Sequence, residues 1–147
     1  MEYSFYGWET EDVKPVSAEF SSIKNQRHLY DLLSEIWSSK TCAPRLREKW
    51  NAENKTLGQC SITSFLAQDI FGGKVYGILR EDGNFHCYNK IGSVTFDLTS
   101  EQFKNEVMDY SPKIEQFREI HFQKEEKYLR YKMLKSSLLE KLHSKYA

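Results

Sequence analysis

Cys60, His86 and Asp97 follow one another along the chain in the order of a thiol-based catalytic site. A thiolate can attack a carbonyl, an imidazole can take and return the proton, and a carboxylate can hold the ring in the productive tautomer. Cys60 follows Gly58-Gln59 and opens the apolar-periodic segment CSITSFLAQDIFGG, which reads as a helix ending at Gly72-Gly73. A thiol at a helix N-terminus is electrostatically favoured as the thiolate. A tetrahedral intermediate would also need hydrogen-bond donors, for which the Cys60 N–H and the side chains of Asn54 and Gln59 are the candidates.

His86 and Asp97 must be positioned by strands. Three strand-like runs, 74–80, 84–91 and 94–98, are separated by Glu81-Asp82-Gly83 and Gly92-Ser93, which predicts an antiparallel meander. With a two-residue Gly92-Ser93 loop, Tyr88 faces Asp97 and His86 lies diagonal to it. With a four-residue loop, His86 faces Asp97 directly. Both registers put the two side chains on one face, where neighbours lie about 4.5–5.5 Å apart and diagonal ones about 7–8 Å. A one-residue slip would separate them. Phe85, Cys87, Val94, Phe96 and Leu98 then form an opposite apolar face that needs a helical cover.

The flanking chain supplies that cover. From Asn25, the residues Leu29, Leu32, Leu33, Ile36 and Trp37 recur with helical spacing. Thr41 to Pro44 breaks this helix, and 45–50 allows another turn or two before the polar loop 51–57. Thr99 or Ser100 is placed to cap a brief helix containing Glu101, Gln102 and Phe103. Beyond Ser111-Pro112 there is neither Gly nor Pro, so 114–147 is expected to be one long helix. Residues 1–24 are aromatic but aperiodic and read as an arm. The expectation is a single α+β domain: arm 1–24, core 25–113 and C-terminal helix 114–147.

Composition narrows the function. With 147 residues and 39% hydrophobic content the chain suits one compact core. Lys plus Arg equal Asp plus Glu at 21 each, so the footprint of a nucleic-acid or anionic-membrane binder is missing. No apolar stretch approaches the roughly 20 residues of a membrane span, and no signal peptide is visible, so a cytoplasmic protein is expected. Three scattered cysteines do not make a disulfide framework.

The run Trp50, Asn54, Gly58-Gln59-Cys60, Gln68 to Gly73, then His86 with Asn89, and Asp97-Leu98-Thr99 with Gln102-Phe103, resembles the YunG-like family of small bacterial proteins over roughly residues 28 to 135. The resemblance implies a core and adds Asn89 to the substrate-binding candidates, but it names no substrate. The Cys, His, Asp order is in turn similar to that of the papain-like and transglutaminase-like superfamily, in which a cysteine-bearing helix packs on a small antiparallel sheet, here flanked by N- and C-terminal helices. Asp97 stands where papain-like proteases use asparagine, and the short gap from Cys60 to His86 leaves little room for a substrate-binding lobe.

Each sharp assignment has a plainer rival. Cys60 could fill core volume beside Ile62, Phe65 and Leu66, His86 could be a satisfied core histidine, and Asp97 could cap the helix after it. Zinc binding by Cys42, Cys60, Cys87 and His86 is a poor fit, because no C-x-x-C pair exists and His86 and Cys87 point to opposite faces. His28, His121 and His143 read as surface residues. The lysine- and glutamate-rich C-terminal helix is ordinarily a solvated face, although Tyr128, Tyr131, Met133 and Leu134 could serve a protein partner. The expectation is therefore a cysteine-dependent acyl hydrolase or transferase without cofactor or metal, acting on a small-molecule or peptide amide or a thioester. The alternative is a binding module that keeps the fold without turnover.

Overall fold

The computed structural model describes residues 2–146 of the chain. Asn25 starts the first helix, α1 (Gln26–Ser34), by accepting the His28 N–H with its side chain, and Leu29, Leu32 and Leu33 form its buried stripe. Trp37 lies beyond the helix end. It is nonetheless buried, with its indole N–H donating to Thr63 Oγ1 at 3.0 Å.

The central helix α2 (Cys60–Phe71) buries every side chain from Ser61 to Ala67. A helix buried all round needs partners on opposite sides. The sheet supplies one, and the long last helix, described below, supplies the other. Each large apolar side chain enclosed in this way, such as Phe65 or Leu66, is worth about 1.5–3 kcal/mol.

The sheet contains β1 (Lys74–Leu79), β2 (Phe85–Ile91), β3 (Val94–Phe96) and β4 (Ile114–Gln116), all antiparallel in the order β3-β2-β1-β4. Its first three strands are the expected meander, although β3 stops at Phe96 rather than Leu98. The fourth strand corrects the expected helix over 114–147. Residues 114–116 pair with β1, followed by the short helix α3 (Arg118–His121) and then α4 (Glu125–Tyr146). The free edge of β1 decides the matter: backbone groups on an open edge seek partners, and that tertiary demand overrides a helix-permissive sequence.

One buried apolar cluster runs from Phe5 to Leu142 and includes the N-terminal arm through Phe5, Val13 and Phe20. No helix among the described residues is long and apolar enough to cross a membrane.

Candidate active site

Gly58 fixes how the chain enters α2. It has φ +72°, and a Cβ there would lie 2.5 Å from Cys42 Sγ and 3.0 Å from Ala43 N, so only glycine fits. Its carbonyl accepts the Ala43 N–H at 2.9 Å. Gln59 is the N-cap, but its side chain does not cap: Nε2 donates to Ser38 O at 3.0 Å. The first N–H groups of α2, which have no intrahelical partner, are therefore not covered by Gln59. Cys60 opens the helix half-buried, with Sγ 3.8 Å from Phe85 O.

That sulfur occupies the edge of β2 that β3 leaves vacant. Backbone groups of alternate residues in an antiparallel strand point to the same side. Asn84 O pairs with Arg80 N–H toward β1, so Phe85, Cys87 and Asn89 present theirs toward β3. β3 reaches only the Asn89 position, through Phe96, and the chain then turns away, with the Asp97 N–H going to Tyr6 O at 2.9 Å. Cys60 fills the gap. Hydrogen bonding from Cys87, by thiol and by backbone N–H, together with the His86 imidazole, holds the Cys60 thiol well below its ordinary range against the opposing effect of burial. The neighbouring Cys87 is correspondingly pushed well above its ordinary range, by its bond to Cys60 and by burial.

His86 and Asp97 meet. The register Ile91↔Val94, Lys90↔Thr95, Asn89↔Phe96 is that of the two-residue loop, which puts His86 diagonal to Asp97. The His86 Nε2 to Asp97 Oδ2 distance is 2.6 Å, and the two residues are 2% and 1% exposed. Burial disfavours the imidazolium, but the Asp97 carboxylate outweighs it, with help from the Cys60 sulfur, and the His86 pKa is pushed up to about 10. His86 Nδ1 is buried and has no hydrogen-bond partner among the described residues. Phe103 stands edge-on over the His86 ring at 4.6 Å. Arg80 lies over Phe103 and pairs with Glu106 at 2.6 and 3.0 Å, closing this side.

Asp97 is held from several directions. Oδ2 also accepts the Tyr110 hydroxyl at 2.7 Å, and Oδ1 accepts the Thr99 N–H at 3.2 Å. Asp97 does not cap the 3-10 turn Ser100–Phe103, whose N-cap is Thr99 with no side-chain cap bond; Oδ1 bonds Thr99, while Oδ2 meets His86. Tyr6 stacks on Tyr110 at 3.9 Å, so the arm reaches the site.

The donor candidates need correction. The Gln59 amide N–H is spent on Ser38, and what it leaves buried and unpaired is the acceptor Oε1. Asn89 donates to Ser64 O at 2.8 Å, a bond that ties β2 to α2. Asn54 closes a 3-10 turn, and no contact among the described residues ties its side chain to Cys60. The Cys60 N–H, at the first position of α2 and without an intrahelical partner, stays a candidate. Sequence reasoning also overlooks three residues. Tyr110 arrives from a loop whose course no pattern encodes. Cys87, dismissed because it faces away from His86, reaches Cys60 from the other face of the strand. His121, read as a surface residue, is half-buried, with its ring 5.2 Å from Phe65 and Nδ1 2.9 Å from the amine of Lys127. The adjacent Phe122, which packs against the core, is the signal that could have revealed it.

Of two surface cavities of about 450 and 340 Å³, one borders Tyr110 together with Tyr6 and Glu101, the other lies beside Arg47, Leu129 and Met133, and neither is lined by Cys60 or His86. Among the described residues no group of three or more His, Cys, Asp or Glu side chains could hold a metal ion.

The family model described as YunG protein matches residues 25–143. A curated relative, "Uncharacterized protein YunG" of Bacillus subtilis (strain 168), is 38% identical over 77 residues, which is 52% of this chain and 62% of the relative. The match therefore spans less than two thirds of that relative's length. No solved structure matches the chain.

Proposed function

The chain belongs to the YunG protein family, and on that premise we propose that it is a cysteine-dependent acyl hydrolase or transferase built on a papain-like or transglutaminase-like core. The observation that carries the reading is the buried His86–Asp97 pair at 2.6 Å beside a Cys60 thiol held well below its ordinary range. Cys60 is the nucleophile: its thiolate attacks the carbonyl carbon of an amide or thioester and the C–S bond forms. Nε2 of His86 is committed to Asp97, which leaves Nδ1 as the nitrogen that gives its proton to the departing amine or thiol as the old bond breaks. His86 then takes a proton from water, or from an acceptor amine, as that nucleophile cleaves the thioester and returns Cys60. The Cys60 N–H stabilises the oxyanion. Asp97, fixed by Tyr110 and Thr99, keeps the ring oriented. The chemistry requires no cofactor, and its substrate is a small-molecule or peptide acyl compound.

An activated acyl ester followed by intact mass tests this. One acyl adduct should form on wild type and decay with time, Cys60→Ala should form none, and His86→Ala should acylate at least about 10³-fold more slowly. Acylation of Cys42 or Cys87 with Cys60 untouched overturns it.

A further inference from the structure

Among the described residues Lys127 meets no carboxylate. The other half-buried or buried cations of this region are paired: Arg118 with Asp69 at 2.9 Å, Arg130 with Glu126 at 2.8 Å and Arg80 with Glu106 at 2.6 Å. Lys127 forms no ion pair among the described residues, although it is half-buried and sits in the first turn of α4, where the helix dipole disfavours a cation. An ammonium in such a place is costly unless something uses it.

The amine is aimed by a relay. The Gln116 amide donates from Nε2 to Ile114 O at 3.2 Å, which leaves its Oε1 as the acceptor for His121 Nε2 at 2.9 Å. Nε2 must then carry the imidazole proton, so Nδ1 accepts from the Lys127 ammonium at 2.9 Å. His121 stays neutral: burial foremost, and then Lys127, push its pKa down to about 4. The relay stands on the Cys60 side of the sheet. Gln116 pairs with Val75, its side chain closes over Gly77, where a Cβ would lie 2.9 Å from Gln116 Cγ, and Gly77 is opposite Cys87. Burial foremost lowers the Lys127 pKa from its ordinary value, and the Cys87 and Cys60 sulfurs oppose that shift electrostatically.

We propose that Lys127, aimed by His121 and Gln116, is the specificity-determining residue of the Cys60 site and selects acyl substrates that carry a carboxylate near the scissile carbonyl. This rests on Cys60 being the reactive thiol. A carboxylate-bearing amide or thioester would place its negative charge against the ammonium and thereby supply the partner that the fold withholds. A neutral acyl group would leave the ammonium unpaired.

Two alkylating reagents that differ only in charge test the inference without a known substrate. The rate of Cys60 modification by iodoacetate, divided by that by iodoacetamide at neutral pH, reads the charge preference, and any change in thiolate fraction cancels from the ratio. Lys127→Met should lower the ratio about fivefold or more, as expected for an ion pair at intermediate dielectric. Lys127→Arg should keep it within about twofold, and Lys124→Met, an exposed lysine one turn away, should leave it unchanged. An unchanged ratio in Lys127→Met, or an equal fall in Lys124→Met, overturns the proposal. The outcome is independent of the enzymatic reading, because any thiol can be alkylated. A protein whose Cys60 never acylates could still show the ratio, and an active one could lack it.

Discussion

Cys42 and Cys60 flank the same glycine and have opposite chemistry. Gly58 packs against the Cys42 sulfur on one side and leads into Cys60 two residues later. Cys42 is fully buried, and burial raises its pKa even though the charges of Arg130, Arg47 and Arg45 all pull the other way. Those guanidinium groups are engaged by other acceptors: Arg130 by Thr41 O at 3.0 Å and the Glu126 carboxylate, Arg47 by Cys42 O at 3.1 Å, and Arg45 by Asp82 at 3.2 Å. Cys60 also suffers desolvation, but hydrogen bonding from Cys87 and the influence of the neighbouring His86 imidazole favour the thiolate directly. Donors directed at sulfur therefore outweigh a surrounding of positive charge, and an open sheet edge is what provides one of them.

Removing both side-chain donors should erase the contrast, and this is the largest effect expected. In the double variant His86→Ala/Cys87→Ala only burial and the backbone N–H act on Cys60, which should titrate like an ordinary or hindered thiol. The ratio of iodoacetamide rates at about pH 8 and about pH 6 should rise from near one in wild type toward about 80, the ratio of thiolate fractions for an unperturbed pKa of about 8.5. Cys42 provides the internal control. Buried at 0% exposure, it should stay unmodified as long as the fold is intact. A wild-type ratio already near 80 would abolish the distinction between the two cysteines.

The half of the site that lies on regular structure was legible in the residues. Strand parity places His86 and Asp97 on one face whichever loop is chosen, and Gly92-Ser93 gives the tighter register. The start of α2 at Cys60 and its stop at Gly72 follow from the apolar periodicity and the Gly72-Gly73 pair. What could not be read depends on where a side chain is spent or on which edge lacks a partner. A glutamine before a nucleophile suggests an oxyanion donor until its amide is found on Ser38 O, and Asn89 suggests substrate binding until it is found on Ser64 O. Residues 114–116 look helical because nothing in them announces that β1 has a free edge. Parity places Cys87 on the apolar face opposite His86, where it is buried, but the rule orders side chains across a sheet and is silent about a sulfur arriving at its rim.

Single variants sharpen the comparison at smaller amplitude. Cys87→Ala removes the strongest donor and relieves the pair of its shared proton, so the midpoint of the Cys60 alkylation profile should rise by about one pH unit or more while the His86–Asp97 contact survives. Asp97→Asn should raise the same midpoint less, because it acts through His86, and Tyr110 and Thr99 still hold the new side chain. If Asp97→Asn shifted the profile more than Cys87→Ala, the imidazole rather than the neighbouring thiol would be the main source of the Cys60 acidity.

The smallest effect is in stability, and it tests whether the sulfur and the ring are charged together in the resting protein. His86 has its pKa raised from 6.5 to about 10, so the stability it contributes is complete below about pH 6.5 and is lost as pH climbs toward 10. Cys60 has its pKa depressed from 9.0, so its contribution is complete above that value and is lost as pH falls through the lower folded-state value. Between those ordinary values the two slopes have opposite signs and cancel, and His121, depressed to about 4, has already given its full contribution. Unfolding free energy of wild type from denaturant titration should be nearly flat across this window. Cys60→Ser removes one slope and keeps Asp97 on the other, so its stability should fall with rising pH, by at most about 1.4 kcal/mol per unit. A flat Cys60→Ser curve would mean that His86 is neutral when folded, and the thiol contrast would then rest on Cys87 alone.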